Sequence, residues 1–474
     1  MGFFLFFAQL TEFSDCKQYS GEVTVTGTVT SREKYERSMQ VVLSDLNIEG
    51  KWEDGTLVAY LPLSSYEEIA LSDVLMIEGD IFTNVAYVGK YGFQASAIAE
   101  ELRYAVYTPK SWFLIGHETN VFAFVRMRLE KALYKGMDSD GAAVTMALLL
   151  GNTSGIAEDL YENVRRGGVA HIFAVSGLHV GALFAFCMLL VQKTRLRKTP
   201  KILRFIIVSV VLVLYAALCG FSASVVRATV LCLVGYGGKL LKTQTDLLQT
   251  LGLAAFVILL PSPVALFEVG FQLSFAACLG IALLAKPFEE AISCAMGGVS
   301  KWLLKKRSAE RLAAAESGDT LPLTPFERMG RGIRSFLSVS FAAQAATAPI
   351  LLYTFGYVSS WALLLNCLFV PFVGLVFSGL LLLAFVACLL PLGASVVLLY
   401  VPNVVWSAAL LLFEAVDFSS FAIQGLDISI GACILYYLAC TFLSDKWNVG
   451  RSWRICLVLL CFLGFASTMV ALNV

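Results

Sequence analysis

Two patterns of hydrophobic and polar residues divide the chain. Between about residues 21 and 107, apolar positions alternate with polar ones, as at Val23, Val25 and Val29, and a period of two predicts half-buried β-strands. Beyond Gly168 the apolar runs are continuous and recur at about the length with which one helix crosses a bilayer. The sequence therefore predicts a β-rich domain followed by a polytopic α-helical membrane bundle.

Five short runs in the β-rich part have strand character. They begin with the run at Val23 and continue with Met39–Leu46, Gly55–Leu61, Asp73–Phe82 and Gly92–Ala97. Five short strands with turn residues between them suit a small barrel of the OB type. The segment from Lys17 to Tyr107 carries fourteen Asp/Glu against seven Lys/Arg, and an acidic surface repels phosphate. A spacer or gating module and a binding platform are both open interpretations.

The segment after the β-rich domain predicts helices at the membrane surface. Phe122, Val125, Leu129 and Leu133 recur at helical spacing with charged residues between them, as in an interfacial amphipathic helix. A second candidate covers Gly141–Leu150. We therefore divide the chain into a short hydrophobic N-terminus (1–16), an extracytoplasmic OB-like domain (17–108), amphipathic interfacial helices (109–168) and the bundle (169–474).

The bundle is expected to contain about nine or ten spans. Only 15% of the chain is charged and 58% is hydrophobic, whereas a typical soluble domain is about 25% charged. The predicted spans are 169–191, 203–220, 223–241, 246–261, 264–285, 335–356, 358–390, 394–416, 429–443 and 453–472.

Basic loops set the expected orientation. The connection 193–204 holds six Lys/Arg, and short basic loops stay in the cytoplasm. This places the loop 220–222 and the β-rich domain outside, provided that 358–390 crosses once. That segment is long and contains Pro371. A discontinuous or re-entrant helix and a long helix with a proline kink are both open.

The polar residues inside the first predicted span cluster on one side. At about 100° per residue, His171, Ser176 and His179 share one sector, and a stripe of small residues including Gly177 and Gly181 lies opposite. Small residues allow close helix packing. Intramembrane polar groups are costly and normally face a pathway or each other. The sector therefore predicts a hydrated pathway or histidines that hydrogen-bond between helices.

Further polar residues recur in other spans. Arg227 and Glu268 are expected at similar depth, where they would form an ion pair unless Arg227 extends to the interface. Gln272 follows Glu268 by one helical turn. The candidate pathway residues are His171, Ser176, His179, Arg227, Glu268, Gln272, Gln344 and Asn366, and the candidate packing or motif residues are Gly177, Gly181, Pro349 and Pro371.

Metal and nucleotide sites are not predicted. The chain has twelve cysteines and three histidines without a zinc-type spacing. It also has no GxxxxGK[ST] phosphate-binding loop. We expect no metal, no cofactor and an energy source outside this chain.

The run VRRGGVAHIFAVSGLHVGAL resembles the ComEC family of competence proteins, the membrane channels for DNA uptake. The runs CGFSASVVRATVL, LLPSPVALFEVGFQLSFAACLGI and TAPILLYTFGYVSSWALLLNCLFVPFVG resemble later family blocks in the same order. The resemblance covers most of residues 140–380. It implies an external OB-like domain and a bundle that passes single-stranded DNA. The positions that match family motifs are His171, Ser176, Gly177, His179, Arg227, Gln272 and Asn366.

The resemblance also implies partners and a location. We expect the bacterial cytoplasmic membrane, a DNA receptor, a cytoplasmic motor ATPase, a separate nuclease and a homo-oligomer. Many relatives continue into a metallo-β-lactamase-like domain, whereas this sequence has no HxHxDH, so we expect a form without that domain and no enzyme activity. The alternatives are a transporter of a smaller anionic or amphiphilic solute and a membrane-embedded hydrolase that uses Ser176 with His171 or His179.

Overall fold

The computed structural model divides the chain into two compact units. The first comprises 1–165, 169–271 and 372–418, and the second comprises 166–168, 272–371 and 419–474. The structure describes residues 19, 22–35, 38–66, 68–83, 102–117, 121–153, 155–168, 177–194, 198–316, 325–366, 378–390, 392–415, 422–424, 428–443, 456–465 and 467.

The first unit begins with an eight-stranded sheet. Its strands are β1 (Glu22–Lys34), β2 (Ser38–Ile48), β3 (Lys51–Glu53), β4 (Thr56–Pro62), β5 (Asp73–Asp80), β6 (Phe82–Thr83), β7 (Leu102–Val106) and β8 (Ser111–His117). The order is β6-β7-β4-β2-β1-β5-β8, with β3 paired to β2. All pairs are antiparallel except β4 with β7.

The apolar residues that alternate with polar ones in the sequence form the core of this sheet. Val25, Val41, Leu43 and Ile77 point inward with no exposed surface, and polar residues between them face outward. Each fully buried side chain of this kind stabilises the fold by about 1.5–3 kcal/mol. The predicted strands near Val23, Met39, Gly55 and Asp73 are therefore confirmed.

The domain differs from the prediction at its C-terminal end. β7 was not expected, and β8 continues the sheet to His117 by pairing with β5, beyond the predicted boundary at residue 108. The predicted strand Gly92–Ala97 lies outside the described residues. Among the described strands the sheet ends at β6 and β8 without a pair that closes it, so the OB-like barrel stays a prediction.

The remaining described residues are almost entirely helical. Four helices are long and apolar enough to cross a membrane: Lys201–Leu218, Ala223–Leu241, Val269–Cys294 and Met329–Phe355. The other apolar helices in the described parts of the chain are shorter, so the count of nine or ten spans stays a prediction. The helices are α1 (Val121–Gly136), α2 (Ser139–Leu150), α3 (Glu158–Arg166), α4 (Gly177–Lys193), α5 (Lys201–Leu218), α6 (Ala223–Leu241), α7 (Leu247–Leu259), α8 (Val269–Glu316), α9 (Pro325–Phe355), α10 (Ser378–Leu389), α11 (Leu392–Ala415), α12 (Ile430–Leu443) and α13 (Cys456–Phe465), with a 3₁₀ helix at Pro263–Phe267 and a two-stranded sheet of β9 (Tyr357–Ser359) and β10 (Ala422–Gln424).

The two helices predicted to be amphipathic are packed more deeply than expected. In α1, Leu129 and Leu133 are buried, and two arginines bind helix ends: Arg126 Nε donates to Leu218 O at 2.8 Å and Arg128 Nη2 to Leu390 O at 3.3 Å. In α2, every residue from Gly141 to Leu150 is buried. The prediction that α2 is amphipathic is wrong, because it packs on all sides within the unit.

The arginine contacts of α1 also bear on the segment 358–390. A single crossing would place residue 390 on the opposite side of the bilayer from the loop 220–222. Arg126 and Arg128 are two residues apart in α1, which separates them by about 3 Å along the helix axis. Their side chains donate to the carbonyls of Leu218 and Leu390. A hydrocarbon core is about 30 Å thick. Leu218 O and Leu390 O therefore lie on the same side of this unit, whereas Pro371 lies outside the described residues and both interpretations of 358–390 stay open.

A buried ion pair connects the sheet to α1. Arg32 of β1 contacts Glu130 at 2.5 Å, and the two side chains are 11% and 15% exposed. Arg32 also donates to the carbonyls of Tyr66 and Ile69, and the Tyr66 hydroxyl donates to Glu130 Oε1 at 3.1 Å. Burial and the Glu130 carboxylate raise the pKa of Tyr66, so its hydroxyl remains a donor at physiological pH.

We expect a strong energetic coupling between Arg32 and Glu130. Removing one partner of a buried ion pair costs about 3–5 kcal/mol. In a double-mutant cycle of Arg32→Ala and Glu130→Ala, the second substitution should therefore cost much less than the first. The measurement is the free energy of unfolding of the full chain in detergent.

The pair formed by Lys110 and Glu22 is the matched control. Its atoms are also close, at 2.7 Å, but both side chains are more than half exposed, and exposed pairs contribute little. Additive effects in both cycles would contradict the role of the Arg32–Glu130 contact.

Candidate functional site

The residues predicted to form a polar pathway are distributed over both units. His179, Arg227 and Glu268 belong to the first unit, and Gln272, Gln344 and Asn366 belong to the second. His171, Ser176 and Pro371 lie outside the described residues, so the interpretation of Ser176 with a histidine as a hydrolase stays untested.

The SGLHxG motif is the segment Ser176–Gly181. Its described part lies in a core of three helices. Residues of α4, α5 and α6 share one hydrophobic cluster that includes Val180, Leu212 and Val225. His179 is buried in the same region and is only 6% exposed. The motif is therefore part of the packed interior of the first unit and is not on its surface.

Arg227 lies directly against the motif. A Cβ atom added to Gly177 would lie 3.3 Å from Arg227 Nη2 and 3.3 Å from Ala228 Cβ. Arg227 is 8% exposed, so its side chain is covered by protein. The structure thus places a fixed positive charge beside the glycine of the SGLHxG motif.

The predicted ion pair between Arg227 and Glu268 is wrong. Glu268 follows the 3₁₀ helix and precedes the span that begins at Val269. Its carboxylate forms no hydrogen bond or ion pair within the described parts of the chain, and burial raises its pKa. The loop before α8 therefore keeps Glu268 at the end of the span, while Arg227 is enclosed by helices.

The two described glycines of the predicted small-residue stripe, Gly177 and Gly181, differ in their surroundings. Gly177 allows α4 to approach α6, as the contacts with Arg227 and Ala228 show. A Cβ atom at Gly181 would meet nothing within 4 Å. Close packing is therefore limited to the start of the described helix, and Ala170 and Ala174 lie outside the described residues.

In the second unit, Pro349 creates an acceptor that α12 satisfies. Proline has no backbone N–H, so the carbonyl four residues earlier, that of Ala345, loses its helical partner. The Tyr436 hydroxyl donates to Ala345 O at 2.8 Å, and the Tyr437 hydroxyl donates to Ala346 O at 2.7 Å. The proline is thereby tolerated inside an apolar helix, as membrane helices require.

Two predicted pathway residues of the second unit carry buried amide atoms. Gln344 Nε2 and Asn366 Oδ1 have no hydrogen-bond partner among the described residues. Gln272 is half-buried on α8. Buried polar atoms are normally satisfied by protein or by ordered water, and the hydrated interior stays a prediction.

Metal ligands do not converge in the described parts of the chain. No group of three or more His, Cys, Asp or Glu side chains there has a metal-binding arrangement. No disulfide joins the cysteines whose side chains the structure describes. The expectation that the chain uses no metal stays a prediction.

Comparisons with known proteins identify the family. The family profile described as Competence protein matches residues 148–449, more than half of the chain. The chain belongs to the competence protein family. This membership and the long apolar helices make it a membrane protein and support the resemblance carried by the SGLHxG motif.

Individual relatives of the competence family cover smaller parts. ComE operon protein 3 of Bacillus subtilis (strain 168) is 30% identical over 236 residues, 49% of this chain and 25% of the relative. Competence protein ComA of Neisseria gonorrhoeae is 32% identical over 142 residues, 29% of this chain and 20% of the relative. An uncharacterized MG316 homologue of Mycoplasma pneumoniae is 35% identical over 125 residues, 25% of this chain and 30% of the relative. No solved structure matches.

Several structural contacts of this competence-family bundle were not expected from the sequence. Tyr436 and Tyr437 complete the proline-interrupted helix, and Gly280 of α8 packs so closely that a Cβ atom would overlap Ala346 and the Ala342 carbonyl of α9. For each of these two contacts the sequence contains a pattern that could have predicted it. Adjacent tyrosines in an apolar run need acceptors, and alanines four residues apart mark a close helix contact.

Gly177→Ala should reduce function and stability, because the added methyl group would press on Arg227 and Ala228. Overpacking of a well-packed interior typically costs about 1–3 kcal/mol. The measurement is thermal unfolding of the purified protein together with DNA uptake by the host.

Gly181→Ala is the matched control, because the same methyl group meets open space there. If both substitutions had the same effect, the close approach of α4 and α6 at Gly177 would not be the cause.

Tyr436→Phe should destabilise the protein only while Pro349 is present. The substitution leaves the Ala345 carbonyl unsatisfied, and an unsatisfied buried polar group costs about 1–3 kcal/mol. In a Pro349→Ala background the new N–H can bond to Ala345 O, so the cost of Tyr436→Phe should shrink. The measurement is the free energy of unfolding of the four proteins of this cycle.

Tyr437→Phe provides the comparison. Ala346 O keeps the N–H of Ile350 as its regular helical partner, so this substitution should cost less than Tyr436→Phe in the original background. An equal cost of Tyr436→Phe with and without Pro349 would rule out the explanation.

Proposed function

We propose that the chain imports single-stranded DNA across the bacterial cytoplasmic membrane during natural transformation. The proposal is supported by membership of the competence protein family. It is also supported by the names of two relatives, ComE operon protein 3 and Competence protein ComA. The bundle acts as a passage in this proposal and performs no chemistry on DNA.

The buried guanidinium of Arg227 is the observation that carries the proposal. A charged side chain inside a membrane bundle is expensive and normally marks a substrate or ion pathway. Arg227 is enclosed next to Gly177, and a planar guanidinium matches the geometry of phosphate oxygens. A polyanion crossing the bundle needs such a fixed positive charge.

The second unit would supply a hydrated and uncharged part of the route. Gln344 and Asn366 each place a buried amide atom without a partner among the described residues. Amides can bind water, phosphate or base edges in turn. This is the kind of surface over which a single strand can move without being held.

Partners complete the proposed process. The chain spans about a quarter of the length of ComE operon protein 3. We propose that an external DNA receptor delivers the strand, that a cytoplasmic motor ATPase pulls it and that a separate nuclease removes the complementary strand. Two copies of the chain in one complex would enlarge the passage.

The test is uptake of end-labelled DNA into a nuclease-protected cytoplasmic pool. We compare cells with the intact gene, cells with a deletion and cells with Arg227→Gln. Hydrogen bonds to charged groups are worth about 1.5–3 kcal/mol, so Arg227→Gln should lower internalisation by about tenfold or more. Binding of DNA at the cell surface should persist in all three.

Arg227→Lys separates charge from shape, because it keeps the charge and loses the planar fork. We expect it to retain more uptake than Arg227→Gln at equal protein abundance in the membrane. Normal uptake in the deletion strain would overturn the proposal, and a transporter of a smaller anionic or amphiphilic solute would then replace it.

A further inference from the structure

We propose that the edge strand β8 and the start of α1 form one apolar surface that rests in the headgroup layer of the lipid bilayer. Lipid is then a partner of the sheet as well as of the helices. The inference goes beyond the proposed function, because it uses the membrane nature of the chain and no property of DNA. All residues of this surface belong to the first unit.

Strand β8 exposes three consecutive apolar side chains. Phe113, Leu114 and Ile115 are between 43% and 55% exposed, whereas a strand with one solvated face normally alternates apolar and polar residues. Sheet edges that face water usually carry charged residues or proline, because a long apolar edge promotes aggregation. An apolar medium next to β8 removes this penalty.

The helix that follows β8 has an exposed side of matching character. β8 ends four residues before Val121, which is at most about 14 Å of chain. Val121 and Phe124 are exposed, and the same stripe, at spacings of three and four residues, continues with the exposed cations Arg128, Lys131 and Lys135. Apolar residues followed only by cations suit acyl chains and the phosphates of anionic lipids.

A hydrogen bond of α1 places its start at the boundary of the hydrocarbon core. The helix α5 has 18 residues and is therefore about 27 Å long, close to the hydrocarbon thickness of about 30 Å. Its last residue, Leu218, accepts a hydrogen bond from Arg126 Nε at 2.8 Å. Arg126 follows Phe124 by two residues, so the apolar part of the exposed stripe begins where a helix long enough to cross the membrane ends.

The turn after α5 adds another apolar group at this level. Phe221 is exposed and has a φ of 52°, a left-handed conformation that is unusual for a bulky residue. Its N–H donates to Ala216 O at 2.8 Å, and a Cβ atom added to the neighbouring Gly220 would lie 3.5 Å from Arg126 Nη2. The chain therefore keeps a large ring exposed beside α1 despite backbone strain, as suits a ring held in lipid.

Lipid fits this surface better than an added strand does. Among the described strands, β8 is the last on its side of the sheet, so its outer backbone groups could pair with another chain. However, its register with β5 shifts between Val74 and Leu75, and such an irregularity interrupts the regular ladder that strand addition requires. Strand addition also gives no role to the exposed residues of α1.

The experiment replaces Phe113 or Phe124 of the full chain with the photo-crosslinking amino acid p-benzoylphenylalanine. The protein is reconstituted in vesicles of phosphatidylethanolamine and phosphatidylglycerol and irradiated, and lipid adducts are measured by mass spectrometry. Both positions should give an adduct yield similar to that of the same replacement at Val213, an exposed residue of α5.

Trp52 is the matched control position. It is more exposed than Phe113 but lies on β3, which pairs with β2 in another part of the sheet. Its adduct yield should be about tenfold lower, since burial of one large apolar side chain changes a population by at least that factor.

Ile115→Asp tests whether apolar character holds β8 in lipid. A charged side chain is unfavourable in the apolar part of a bilayer, so this substitution should lower the adduct yield at Phe113 severalfold and leave the yield at Val213 unchanged. Ile115→Leu keeps the apolar character and should retain the yield at Phe113.

Three results would overturn the inference. An adduct yield at Phe113 no higher than that at Trp52 would mean that water surrounds β8. Crosslinks from Phe113 to a second copy of the chain, in place of lipid adducts, would assign the edge to strand pairing. An unchanged yield in Ile115→Asp would show that the apolar residues do not cause the contact. None of these results depends on DNA uptake, so the proposed function is tested separately.

Discussion

Backbone carbonyl groups that lose their helical partner inside a membrane bundle must find another donor. In this chain, long side chains from neighbouring helices donate the missing hydrogen bonds. Arg126 and Arg128 reach the ends of two helices, and Tyr436 reaches the carbonyl that Pro349 leaves open. The packing of helices in each unit therefore depends on donors placed at specific positions, because apolar contacts alone cannot satisfy these acceptors.

The same requirement gives α1 a larger role than its sequence suggests. One part of the helix binds helix ends through Arg126 and Arg128, and Glu130 of the same helix binds Arg32 of the sheet. A helix that was expected to lie at the membrane surface therefore connects the sheet to other helices of the first unit. The ion pair at this junction has low exposure, with side chains that are 11% and 15% exposed.

The sequence predicted the secondary structure correctly where its hydrophobic residues followed one clear pattern. Alternation at Val23 and Met39 located strands, and the apolar runs located the four long helices. Prediction failed where tertiary contacts decided the outcome. The pattern of α2 cannot show that every side is covered, because covering helices come from distant parts of the chain. β8 carries a run of exposed apolar residues, and its pairing with β5 is a long-range contact.

The candidate site was predicted only in part for a similar reason. Burial of Arg227 and its contact with Gly177 agree with the expected polar interior. The pairing with Glu268 was inferred from similar depth in two spans. Depth says nothing about the direction in which a side chain points, and the 3₁₀ helix before α8 shifts the position at which the span begins.

The adjacent tyrosines of α12 have a mechanical consequence. Their hydroxyls bind successive carbonyls of α9, and neighbouring residues of a helix point about 100° apart. Both hydrogen bonds can form together in only one rotational orientation of α12. Rotation of this helix about its own axis would therefore break them. Any movement within the second unit that keeps these bonds must carry α9 and α12 as one rigid pair.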